Sequence, residues 1–213
     1  MQIPAIIMAG GKGERFNFDK VKSKYQEKLL LQFNNRFMIE YAIEATLNAK
    51  NINKVIIALS PFTPQTKSVL EKKKMSIILI ETPGINYHSD LLFVIKKLNL
   101  EVVITIAADI PLIKPKILDE IINKYFILSR PALSVMAEIK LFSQYGLKPT
   151  IIFQSDDKQN NLVPLGINII DGRLIGQPEL DQAIFISEQE ELLFNINTID
   201  DFYQLKKFNN RIK

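Results

Sequence analysis

Short apolar runs rich in isoleucine and valine recur along the first half of the chain, alternating with stretches of helical period. Ile3–Met8, Lys54–Leu59, Ser76–Ile80 and Val102–Ala107 predict strands apolar on both faces, as a parallel sheet covered by helices requires. Between them, Phe37–Lys50 carries Met38, Ile39, Ala42, Ile43, Ala45, Thr46 and Ala49 at helical spacing. Thr66–Lys74 and Ser89–Leu98 predict further helices, with His88 or Ser89 near the start of the second. Lys114–Leu128 sets Ile117, Leu118, Ile121, Ile122 and Tyr125 on one face of an amphipathic helix. The last third is less regular. Leu133–Ile139 and Gly166–Ile170 read as strands, Asp200–Phe208 as a closing helix and Ser155–Asn161 as a polar loop. This alternation is that of an α/β chain: one domain over residues 1–213, a mostly parallel open sheet with helices on both faces, and added strands in the irregular C-terminal third. Ligands of such sheets sit beyond the carboxyl ends of the strands.

Composition narrows the chemistry by exclusion. The 213 residues include no cysteine, which removes thiolate nucleophiles, disulfides and cysteine zinc sites together. With one histidine, His88, a multi-histidine metal site is impossible and a Ser-His-Asp triad would need that residue. A net charge of +4 is too small to argue for nucleic acid. Its distribution says more, because Lys12, Arg15, Lys20, Lys22, Lys24 and Lys28 outnumber Glu14, Asp19 and Glu27 in one short stretch. Beside a glycine-rich turn that excess suits a phosphate-bearing small molecule, although a solvated loop has the same composition. Met1–Met8 lacks a basic leader and runs straight into glycines, so it is neither a signal peptide nor a membrane span. The expectation is a soluble, cytoplasmic protein.

The first strand ends in Met8-Ala9-Gly10-Gly11-Lys12-Gly13-Glu14-Arg15. Glycines so dense are not expected for packing; they let backbone amides turn inward as an anion-binding concavity, to which Lys12 and Arg15 add charge. A P-loop is excluded, because Gly13 stands where it needs a hydroxyl for magnesium. A dinucleotide fingerprint is excluded too, since Phe16 replaces its third glycine and no acid ends the second strand near Leu59-Ser60. Ala107-Ala108-Asp109-Ile110-Pro111 ends a buried strand in one carboxylate, with a proline stopping the chain. Magnesium takes one or two protein oxygens and completes its shell with phosphate and water, a need Asp109 fits, as a turn aspartate also would. Asn195 and Asn197 alternate onto one face of an extended segment, while Thr198 or Asp200 could cap the final helix.

AGGKGER followed by Glu27-Lys28-Leu29 resembles the Gly-Gly-x-Gly-x-Arg…Lys pattern of the small nucleotidyltransferase superfamily, which includes sugar-phosphate nucleotidyltransferases and molybdenum cofactor guanylyltransferase. Three later segments, Ser60–Lys67, Leu162–Asn168 and Phe194–Asp201, are similar to the archaeal adenosylcobinamide-phosphate guanylyltransferase branch. Two departures stand out: Phe16–Gln26 is a long spacer, and Leu29 occupies a position where proline is common.

The resemblance implies a GTP-dependent guanylyltransferase acting on a phosphorylated acceptor, with Mg2+ as cofactor. It assigns Arg15, Lys28 and Asp109 to catalysis and Asp109 with Asn197 to the metal. Ala9, Gly10, Gly11, Lys12, Gly13, Glu14 and Arg15 are implied to hold the triphosphate. The stretch Glu81–Asp90 is implied to meet the base, where Asp90, Ser89 or backbone near Gly84 could read guanine's donor edge. Ser89 and Asp90 could equally open a helix. By the same likeness the acceptor is adenosylcobinamide phosphate, in cobalamin biosynthesis. The alternatives are molybdopterin as acceptor, or a non-catalytic nucleotide-binding regulatory protein. No nucleic-acid partner is implied, and edge strands of the last third suit pairing into a homodimer.

Overall fold

In chain order the strands are β1 (Ile3–Met8), β2 (Gln32–Phe33), β3 (Arg36–Phe37), β4 (Ile52–Leu59), β5 (Ile78–Glu81), β6 (Val102–Ala107), β7 (Ala132–Glu138), β8 (Phe153–Gln154), β9 (Asn161–Asp171) and β10 (Gln182–Ile186). The helices are α1 (Met38–Leu47), α2 (Pro64–Glu71), α3 (Tyr87–Leu98), α4 (Pro115–Leu128), α5 (Ile139–Gln144) and α6 (Ile199–Arg211). The structure, a computed structural model, describes residues 1–21, 23–154 and 161–211, Arg211 through its backbone alone.

The main sheet runs β10-β7-β9-β6-β1-β4-β5, with β8 paired to β9. Neighbours β1–β4, β4–β5, β1–β6 and β7–β10 are parallel. Alternation along β1 divides the core. Ala5 and Ile7 face one apolar layer with α1, α4 and α6, whereas Ile6 faces a second layer with Leu91, Val94 and Ile95 of α3. Both layers are almost dry, and each fully buried Ile or Leu contributes roughly 1.5–3 kcal/mol. The α/β class, the mostly parallel sheet and the helices on both faces therefore stand as the sequence predicts.

Several boundaries differ for physical reasons. The third run is not buried on both faces: its strand is Ile78–Glu81, at the edge of the sheet, and Ile78 is 37% exposed. The strand expected at Leu133–Ile139 stops at Glu138, where Ile139 opens α5. The segment expected at Gly166–Ile170 belongs to an eleven-residue strand, Asn161–Asp171. That strand runs antiparallel to both neighbours, β6 and β7. Of the polar loop expected at Ser155–Asn161, residues 155–160 lie outside the described residues, and Asn161 already belongs to β9. Helix α3 begins two residues earlier than expected, with Asn86 as its cap accepting from the Ser89 amide at 2.9 Å.

The long spacer after Arg15 is held by apolar contacts. Phe16 is buried, its ring 5.0 Å from that of Phe18, and Tyr25 meets Phe37 edge-on at 5.5 Å. Leu29, Leu30 and Leu31 then enter the core, so Leu29 stands in for the expected proline as a packing residue. Among the described residues no helix is long and apolar enough to cross a membrane.

Strand order places the ligand edge. From β1 the chain moves outward through β4 to β5, then returns to the other side of β1 as β6. The carboxyl ends of β1 and β6 are thus neighbours at a topological switch point, where crevices open in sheets of this kind. Met8 pairs with Ala107 there, one step before the glycine loop and two before Asp109.

Candidate active site

The glycine loop leaves β1 with Ala9 buried and bonded through its amide to Ala58 O at 2.8 Å. Its glycines serve different ends. A Cβ on Gly10 would lie 3.0 Å from Ser60 Cβ, so this glycine does serve packing, contrary to the expectation from sequence, and Ser60 Oγ donates to Gly10 O at 2.7 Å. Gly13 has φ +68, a left-handed turn that side chains disfavour. Lys12 extends over the Phe62 ring at 4.8 Å and also lies 3.6 Å from Glu14.

The remaining pieces converge from distant sequence. Lys28 enters from the spacer and places Nζ on Asp109 Oδ2 at 2.5 Å. Phe194 is fully buried against Tyr145 and Phe208, with Ile196 buried beyond it. Ile196 N donates to Asp109 O at 3.0 Å, which holds residues 195–197 alongside the aspartate. Asn195 then donates through its amide nitrogen to Asp109 Oδ1 at 2.8 Å. Arg15 bridges the cleft, donating to Asn197 Oδ1 at 2.8 Å and Thr150 Oγ1 at 2.8 Å. The capping role is filled as well. Thr198 Oγ1 accepts from Asp201 N, and Asp201 Oδ2 accepts from the Thr198 and Asn197 amides. The cap partner is thus Asp201 rather than Asp200.

Gly10, Gly11, Lys12, Gly13, Glu14, Arg15, Lys28, Asp109 and Asn197 line one cleft of about 550 Å³. Thr82, Gly84, Ile85, Asn86, Tyr87 and Asp90 line the same cleft. Asp90 is buried and accepts from Gly84 N at 2.9 Å, so one carboxylate oxygen fixes the Gly84 turn. Ser89 does not line the cleft; its amide is tied to Asn86, one turn into α3. His88 is on the surface. The Tyr87 hydroxyl lies 2.9 Å from Thr105 Oγ1 between α3 and β6, and burial there pushes the phenol's pKa up. A second cleft of about 260 Å³ shares Arg15 and Asn197 and adds Phe142, Leu147, Lys148 and Thr150.

Sequence reasoning assigned no role to Asn195 or Thr150, and reached Tyr87 only as part of the stretch expected to meet the base. Asn195 carried a faint signal as the alternating partner of Asn197; Thr150 carried none, because its role arises only when Arg15 crosses the cleft.

The donor set fits a hard divalent cation. Asp109 and Asn197 offer oxygens, and each already accepts from a side-chain cation, Lys28 and Arg15 respectively. A metal ion would therefore have to displace these two contacts or share the oxygens with them. Among the described residues no three His, Cys, Asp or Glu side chains cluster as ligands. An ion here would take the rest of its shell from phosphate and water, as magnesium commonly does.

Comparisons with known proteins agree with this geometry. The chain is 33% identical over 202 residues to the adenosylcobinamide-phosphate guanylyltransferase of Methanocaldococcus jannaschii, covering 92% of each chain. It is 30% identical over 126 residues to a probable molybdenum cofactor guanylyltransferase of Thermococcus sibiricus, covering 56% of this chain and 54% of that one. The fold matches CMP:2-keto-3-deoxy-manno-octonic acid synthetase, solved with CTP, at a TM-score of 0.72 and 13% identity over 100% of both chains. Residues 5–152 match the MobA-like NTP transferase domain. The chain belongs to the MobA-like NTP transferases, a family of nucleotidyltransferases.

Proposed function

We propose that this protein transfers GMP from GTP to a phosphorylated small-molecule acceptor, releasing pyrophosphate, and that the acceptor is adenosylcobinamide phosphate. The observation that carries the reading is the meeting of the glycine loop, Lys28 and Asp109 in one cleft at the switch point. The similarity to the M. jannaschii enzyme over nearly the whole chain supports the choice of nucleotide and acceptor.

In this reading the loop amides, Lys12 and Arg15 hold the β and γ phosphates, while Thr82, Gly84, Tyr87 and Asp90 of the same cleft take guanine. The smaller cleft takes the acceptor, with Lys148 and Arg15 near its phosphate. An acceptor phosphate oxygen attacks the α-phosphorus, and the bond to the β-phosphate oxygen breaks in line. A phosphomonoester is already anionic at neutral pH, so no general base is needed. Lys28 neutralises charge that develops on the α-phosphoryl oxygens, and catalysis is positioning plus electrostatic stabilisation. Magnesium on Asp109 and Asn197 would supply further positive charge to the phosphates.

The test is incubation with GTP, magnesium and adenosylcobinamide phosphate, followed by pyrophosphate release. Release with molybdopterin instead would move the acceptor to the second relative's substrate. GTP binding without release for either acceptor would make the protein a nucleotide sensor. Calorimetry with GTP, ATP, CTP and UTP tests the base, and equal affinities would defeat the guanine assignment.

A further inference from the structure

Glu27 is a buried carboxylate, 8% exposed, directly before Lys28. Its two oxygens accept from Gln65 N at 2.6 Å and from Thr66 N at 2.7 Å. These amides belong to the first turn of α2, which begins at Pro64, a residue with no amide hydrogen to offer. The turn's own cap residue is engaged elsewhere, because Thr63 Oγ1 accepts from Ser60 N and caps the loop behind it. Glu27 therefore caps α2 from across the fold, where the helix dipole also favours its charge.

The same short segment has a second anchor. Lys28 lies between Glu27 and buried Leu29, and its ammonium is on Asp109. Glu27 is extended and opens a single 3-10 turn over Lys28–Leu30; from this bend Glu27 reaches the first turn of α2 while Lys28 reaches Asp109 just past the end of β6. The Ser60–Thr63 loop that leads into this turn contacts Gly10, through Ser60 Oγ. Gln26 N adds a parallel contact to Gln65 Oε1 at 3.2 Å.

We infer that Glu27 is a positioning residue: it holds Lys28 against Asp109 and keeps that pair in register with the glycine loop. It touches neither substrate nor metal and acts through Lys28. The activity readout of this inference rests on the guanylyl-transfer reading; the labelling readout does not.

The experiment uses the full chain with Glu27→Ala and Glu27→Gln. Without nucleotide, reductive methylation of Lys28 is followed by peptide mass spectrometry against the exposed Lys116. Glu27→Ala should raise the relative rate at Lys28 several-fold, and Glu27→Gln, which retains one acceptor oxygen, should fall between it and the wild type. With GTP and acceptor, Glu27→Ala should lower kcat about 10–100-fold while the KM for GTP shifts less than about threefold, the pattern of a misplaced group. In a Lys28→Ala background the same substitution should change kcat by less than about twofold, because its effect has no other route. Unaltered methylation of Lys28 in both variants, or an equal loss of kcat with and without Lys28, would overturn the inference. Wild-type protein that releases no pyrophosphate would count against the transfer reading and leave the methylation result to decide the role of Glu27.

Discussion

Lys28 Nζ meets Asp109 Oδ2 at 2.5 Å across 81 residues of sequence, with the two side chains only 12% and 14% exposed. A charge pair this sheltered is costly to break from one side, because the remaining partner loses its counter-charge. It also means that the candidate metal carboxylate already carries an ammonium, which a metal ion would have to displace.

Replacing Asp109 by alanine should therefore have two effects of different size. Pyrophosphate release should fall at least about 100-fold, as for loss of a principal electrostatic group. Stability should fall by about 3 kcal/mol, the low end of the cost of leaving one partner of a sheltered ion pair without its counter-charge. Turnover and a thermal melt on one preparation check both, and unchanged turnover would remove Asp109 from the mechanism.

Arg15 spans from the glycine loop to Asn197 and Thr150, at the wall shared by the two clefts. Charge-assisted hydrogen bonds are each worth about 1.5–3 kcal/mol. Arg15→Ala should raise the KM for GTP about 10–100-fold and leave the melting temperature within about 2 °C of wild type, since the side chain sits on the surface of the cleft. Steady-state kinetics over a range of GTP concentrations measures it.

The end of β9 carries an acid-sensitive contact. Asp171 accepts from Arg173 Nε at 2.8 Å and Nη2 at 2.6 Å, and this pairing holds its carboxyl below the ordinary 3.8. A depressed folded pKa contributes stability that is present above 3.8 and lost as pH falls through the folded value. Asp171→Asn should melt below wild type at neutral pH, with the gap closing as the pH drops under 3.8. Melting curves across that range check the sign; a gap that widens in acid would refute it.

The hairpin from β2 to β3 turns on Asn34 and Asn35, both left-handed at φ 47 and 62. Such a two-residue turn prefers glycine second. Asn34 is engaged with Asn209 at 3.4 Å, so Asn35→Gly is the substitution to make. It should stabilise by about 0.5 kcal/mol, a rise in melting temperature of roughly 1–2 °C, visible by calorimetry.

The parts legible from sequence were those where an apolar run ends abruptly in unlike chemistry. β1 into Gly10-Gly11-Lys12-Gly13 and β6 into Asp109 needed only strand period and breakers. β9 was legible only from Gly166 onward, because Pro164 looks like a breaker, whereas in the fold the strand runs through it from Asn161, beside an irregular stretch of β7. Ser76–Ile80 misled in another way, since apolar period does not reveal that a strand lies at the edge. The Asn195 and Thr150 contacts depend on how Phe194 and the α5 region settle in the core, which no local pattern encodes. Glu27 looked like one more surface acid beside lysines, and no local pattern tied it to the first turn of α2.

Because β9 lies between β6 and β7 with reversed direction, no ladder joins those two strands directly. On the ribosome, β1, β4, β5 and β6 emerge as a four-stranded half with a bare flank, and β7 must wait for a partner not yet translated. Asn195 and Asn197 follow later still. A nascent chain thus carries its glycine loop and Asp109 well before it has the remaining wall, and the cleft is complete only once residues 195–197 have been made.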